Sequence, residues 1–135
     1  MDLIELIANN VFLKQLFPKG LTEPVFVGQI QLDDTGGMYL GIHTKQKPAI
    51  EVSKWGFWNK NYEVIVIKLF ARCQNLTLNN WIDNEYGELH IQEISKSESS
   101  AKAFLLSHFS EKSSIELECG ILIFQGCSTY ALGVE

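Results

Sequence analysis

The chain has 135 residues, 46% of them hydrophobic and 20% charged. That suits one globular domain with a real core, because a chain of this length hides roughly two-thirds of its unfolded surface, and it excludes collagen, coiled coil and bulk disorder. Sixteen acids against eleven bases leave a net charge of −5, which argues against a general grip on nucleic-acid phosphates or anionic lipid and favours a basic partner.

At the N-terminus, Leu3, Ile4, Ile7 and Val11 recur at helical spacing with Leu6 beside them, and Asp2 and Glu5 suit the positive end of a helix dipole. The spacing predicts an amphipathic helix within residues 1–17, whole or in two pieces if Asn9-Asn10 caps a second short turn, with Pro18 and Gly20 stopping it. The stretch MDLIELIANNVFLKQLF has no small-residue cleavage site, and no apolar run approaches the roughly 20 residues that cross a bilayer. A soluble, cytoplasmic protein without a membrane partner is expected.

From residue 24 to about 130 the pattern is that of strands. Phe26, Gly28, Ile30 and Leu32 alternate with Val25, Val27, Gln29 and Gln31, and after Asp33-Asp34-Thr35-Gly36-Gly37 the alternation resumes from Met38 to Thr44, which predicts a hairpin. Pro48 marks a loop and Ile50 to Trp55 a short strand. Tyr62 to Ala71 is β-branched or large on both faces, the pattern of a strand buried on both sides. Leu76 to Ile82 and Leu89 to Ile94 follow as strands, separated by the Asn84 to Gly87 turn. Ser95 to Ser100 is a polar loop. Ala101 to Phe109 reads as a strand, although a helical turn fits its apolar residues too. Ser114 to Cys119 alternates, and Ile121 to Cys127 is a last apolar strand. After one helical segment, about eight short strands predict a mainly β single domain, an antiparallel β-sandwich or partly open barrel.

Chemistry-bearing residues are dispersed. His43, His90 and His108 show no spacing that places two imidazoles on one metal, and each reads as a polar face residue. Cys73, Cys119 and Cys127 are odd in number, contain no CxxC, and sit in or beside apolar strands, where a free cysteine behaves as a small buried hydrophobe in a reducing compartment. Glu116 and Glu118 share a strand face, which is also how any half-buried strand meets water. No catalytic residue, metal site or cofactor is expected, and the chain does not read as an enzyme.

Two features suggest binding. Trp55, Phe57, Trp58 and Tyr62 place four rings within eight residues, with Trp81 and Tyr86 farther along; such rings either fill the core or anchor an interface. Charge is also uneven: residues 1–81 carry eight bases and seven acids, whereas residues 82–135 carry three bases and nine acids, and Asp83, Glu85, Glu88, Glu93 and Glu98 lie close together. Such a cluster is either a solvated face that keeps the protein soluble or an acidic docking surface.

The order of elements resembles a family of bacterial polymorphic-toxin immunity proteins, the group numbered fifty among them. The features that carry the resemblance are a short N-terminal helix, a strand ending in Gln29 to Asp34, and a second closing on Ile42-His43-Thr44. They continue with the hydrophobic strand Val64 to Phe70, then Asn75-Leu76-Thr77-Leu78-Asn79-Asn80-Trp81, and finally Ser114-Ile115-Glu116-Leu117-Glu118-Cys119-Gly120. The likeness is one of order and pattern over about residues 20 to 130, and no binding residue is carried over. It implies a cytosolic protein that blocks a cognate toxin by direct contact. The residues of this chain suited to that task are Asp83, Glu85 and Glu88 for steering toward a basic toxin surface and Trp58, Trp81 and Tyr86 for anchoring. The alternative is a small β-sandwich carbohydrate- or ligand-binding module with Trp55, Trp58 and Tyr62 as its platform.

Overall fold

A computed structural model describes residues 2–94 and 103–133; the expected polar loop at 95–100 and the start of the strand expected at 101–109 lie outside them. The N-terminal segment forms two short helices, α1 (Leu3–Leu6) and α2 (Val11–Leu16). They are separated because Asn9 takes a left-handed conformation (φ 61°), while the Asn10 side-chain amide donates to the Ile4 carbonyl at 2.7 Å. The break resets the helical phase. Leu3, Ile4, Leu13 and Leu16 face the core, whereas Val11, counted in the apolar stripe of an unbroken helix, is exposed. Among the described residues no helix is long and apolar enough to cross a membrane.

Six strands form one antiparallel sheet: β1 (Val25–Leu32), β2 (Gly37–Thr44), β3 (Val64–Asn79), β4 (Glu88–Ile94), β5 (Ala103–Phe109) and β6 (Ser114–Tyr130), in the order β1-β2-β3-β6-β5-β4. The hairpin between β1 and β2 forms where expected. The Asp33 carboxylate accepts from the Thr35 hydroxyl at 2.7 Å and from the backbone N–H of Thr35 and Gly37 at 2.9 and 2.8 Å, and these hydrogen bonds hold its pKa below the usual carboxylate range.

The expectation of about eight strands is corrected to six among the described residues, in a single sheet that is neither a two-sheet sandwich nor a closed barrel. Two pairs of expected strands merge. Residues 62–71 and 76–82 contribute to β3, and residues 114–119 and 121–127 to β6, because polar residues and Gly120 that read as breaks are absorbed as bulges. Register shifts at Lys68/Leu69, Ala71/Cys73 and Cys73/Asn75 keep the ladder paired while bending it. The strand expected at Ile50 to Trp55 is instead a loop with a 3₁₀ turn at Ser53–Trp55.

Because of the bend, the long β3–β6 ribbon carries β1 and β2 at one end and β4 and β5 at the other. A single bridge links the two sides without closing the sheet: Val25 of β1 and Gly87, just before β4, exchange backbone hydrogen bonds of 2.9 and 2.8 Å. The inner face of the curled sheet holds Val25, Val27, Ile42, Ile65, Ile67, Leu69, Leu106, Ile115 and Leu117, all buried in one cluster with the helices. Val64 and Val66 on the opposite side of β3 are buried too, in agreement with its two-sided apolar pattern.

Candidate protein-binding site

The segment between β3 and β4 carries four of the six residues singled out for binding, Trp81, Asp83, Glu85 and Tyr86, and a fifth, Glu88, opens β4. β3 ends at Asn79. Asn80 takes a left-handed conformation (φ 57°), and a 3₁₀ turn follows at Trp81–Asp83. Asparagine suits this position because it tolerates positive φ and its amide bonds locally: Nδ2 donates to Asp83 Oδ2 at 2.8 Å and to the Lys112 carbonyl at 3.0 Å.

Downstream, the Asn84 amide donates to the Val27 carbonyl at 2.6 Å. Gly87 then docks on Val25 so closely to the β5 end that a Cβ there would stand 2.1 Å from the Phe109 carbonyl oxygen. The turn is therefore fastened to the loop between β5 and β6 at its start and to β1 at its end.

What it holds out to solvent is apolar and acidic. Trp81 is 39% exposed and Ile82 91% exposed, with Asp83, Glu85 and Glu88 exposed around them. Glu88 Oε2 lies 3.3 Å from His90 Nε2, both on the surface. Phe109, also exposed, stands in a cross-strand row that runs Asn79, Ser114, Phe109, Glu88 beside the turn. Ile82 and Phe109 were not singled out from the sequence. Alternation had placed Ile82 in a strand, although the Asn79-Asn80 pair before it is a turn signal.

Tyr86 occupies a different setting. It is half-buried, its ring 5.7 Å from that of Phe26 and capped by the Lys45 ammonium at 4.4 Å, and burial beside Tyr130 pushes its hydroxyl up to about 12. It braces the turn against the sheet. Beneath it, His43 Nδ1 lies 2.8 Å from the Tyr130 hydroxyl and 5.4 Å separates the His43 and Phe26 rings; burial lowers the His43 pKa. Gly28 leaves room for that imidazole, since a Cβ there would meet Nε2 at 2.4 Å.

Trp58 stands apart, on the wall of a cleft of about 320 Å³ that is also lined by Lys47, Glu51, Phe57 and Tyr62. The rings near it do not form an exposed plane. Tyr62 is 2% exposed, and Trp55 packs edge-on against both Tyr62 and Phe12 at 5.8 Å.

Among the described residues no group of three or more histidine, cysteine or acidic side chains is placed to hold a metal ion. Burial pushes the thiols of Cys119 and Cys127 up to about 12 and that of Cys73 upward, so all three are protonated at neutral pH. Compared with known proteins, the chain matches no family model, no curated protein and no solved structure.

Proposed function

We propose that the chain is an immunity-type binding protein of the bacterial polymorphic-toxin systems, neutralising a cognate toxin in the cytoplasm by direct contact, without catalysis. The observation that carries this reading is the Trp81–Asp83 turn, which holds an exposed tryptophan and isoleucine rigidly among Asp83, Glu85 and Glu88. A protein of net charge −5 that keeps a large apolar residue such as Ile82 almost fully in water has a surface suited to a partner that covers it. The acids give that partner a basic character and speed encounter, while the preordered turn lowers the entropy cost of docking. The resemblance of the sequence's order of elements to that of immunity proteins supports the same reading.

A sugar-binding module has less support, because Tyr62 is core and Trp55 is edge-packed, so the three rings of the imagined platform are not coplanar in solvent. The test is binding and growth protection against the C-terminal domain of a large secreted protein encoded in a neighbouring reading frame. Salt-sensitive association together with protection is expected. Neither, accompanied by a tryptophan fluorescence response to a sugar panel, overturns the proposal in favour of the module.

A further inference from the structure

Cys73 and Cys119 are far apart in the sequence, yet they face each other directly across the β3–β6 ladder. Cys73 gives its backbone N–H to the Gly36 carbonyl at 2.9 Å, on the side away from β6. In an antiparallel sheet a residue directs its N–H and C=O to the same neighbour, so toward β6 Cys73 belongs to a non-hydrogen-bonded pair. In such pairs the Cα atoms stand about 4.5 Å apart and the side chains are at their closest, within the roughly 4.4–6.8 Å window that a disulfide bridges. Both side chains lie on the inner face, Cys119 in the core cluster and Cys73 packed against it.

Their settings differ in a useful way. Cys73 is half-buried and so accessible from outside, whereas Cys119 is fully buried. The pair also lies where the ladder changes register on both sides of Cys73, at the bend between the two ends of the ribbon. Cys127 is opposite Ile67 and has no cysteine across from it.

We propose that Cys73 and Cys119 are a latent disulfide site, oxidised by a peroxide to a cross-strand bond that fastens β3 to β6 at the bend. The Cys73 thiolate attacks a peroxide oxygen, breaking the O–O bond and giving Cys73 sulfenic acid, with one water released from hydrogen peroxide once the leaving hydroxide is protonated. The Cys119 sulfur then attacks the Cys73 sulfur; the S–S bond forms, the S–O bond breaks, and the Cys119 proton leaves with the hydroxyl as a second water. Two thiols are oxidised and one peroxide is reduced to two waters. Burial keeps both thiols protonated at neutral pH, so the reaction accelerates as the pH is raised.

The test is to treat the full chain with hydrogen peroxide at mildly alkaline pH, unfold it in the presence of an alkylating agent, and map the peptides by mass. The expected result is a single intramolecular bridge between the peptides of Cys73 and Cys119, loss of two hydrogens, and alkylation of Cys127 alone. Cys127→Ser keeps the bridge and Cys73→Ser abolishes it. The unfolding midpoint of the oxidised protein rises by roughly 5–15 °C, and a dithiol reductant reverses the rise. Three alkylated thiols after oxidation, a bridge that includes Cys127, or only intermolecular bridges overturns the proposal.

Discussion

The His108 imidazole donates its Nε2 hydrogen to the Val25 carbonyl across 2.7 Å, tying β5 to β1 from opposite ends of the curled sheet. A carbonyl only accepts, so Nε2 carries the proton and the buried Nδ1, which has no hydrogen-bond partner among the described residues, is bare. Burial lowers the pKa of His108, and also that of His43 on the other face of the sheet.

The pH dependence of stability follows from that shift. An unfolded histidine titrates near about 6.5 and the folded one lower, so the unfolded state takes up the proton first. The stability linked to each imidazole is complete above about 6.5 and is lost as the pH falls through the folded value, with a limiting slope of about 1.4 kcal/mol per pH unit per histidine. Urea unfolding at a series of pH values reads the slope. His108→Gln, whose amide can replace the Nε2 donor without titrating, is expected to flatten it; a slope equal to the parent's contradicts the assignment.

Gly87, just before β4, bonds to Val25 while lying against the end of β5, and only the absence of a side chain allows that approach. Gly87→Ala sets a methyl group against the Phe109 carbonyl oxygen, a backbone atom that cannot rotate away. The expected cost is about 1–3 kcal/mol in chemical unfolding. Faster amide exchange at Val25 and Gly87 should accompany it, since their two mutual hydrogen bonds are the ones displaced.

Asn80 combines a backbone and a side-chain role that two substitutions separate. Asn80→Gly keeps the left-handed conformation and removes the bonds to Asp83 and Lys112; Asn80→Ala removes the bonds and also strains the backbone. Alanine is therefore expected to be the more destabilising by about 1 kcal/mol. Equal effects would mean that the side-chain bonds alone matter.

The acidic turn predicts a kinetic signature. Replacing Asp83, Glu85 and Glu88 together by alanine should slow association with a basic toxin by about tenfold at low salt and weaken its salt dependence, with folding stability changed by less than about 0.5 kcal/mol at Glu85 and Glu88 and by more at Asp83, which gives up the Asn80 hydrogen bond. Trp81→Ala and Ile82→Ala should act instead on dissociation. Unchanged association in the triple variant removes the steering role.

Much of the fold was legible where the instructions are local. The Asp33 to Gly37 turn is built from hydrogen bonds within five residues, so its hairpin could be read directly. The two-sided burial of Val64 to Ile67 followed from its β-branched run. The acids and Trp81 of the turn between β3 and β4 were visible as composition. Tyr86 was not separable from them, because its burial depends on Phe26 and Lys45, which come from other strands and loops.

By itself the sequence determined the mainly β class, the β1–β2 hairpin and the concentration of acid in the C-terminal part of the chain. Alternation, turn chemistry and charge are properties of neighbours along the chain. Only the tertiary structure decided that β3 and β6 run unbroken through their polar stretches, that Val11 points outward and Ile82 stands in water, and that Cys73 faces Cys119. Each of these depends on register. Which residue lies opposite which is set by bulges and by the partner strand, and neither is encoded within any single stretch of the chain.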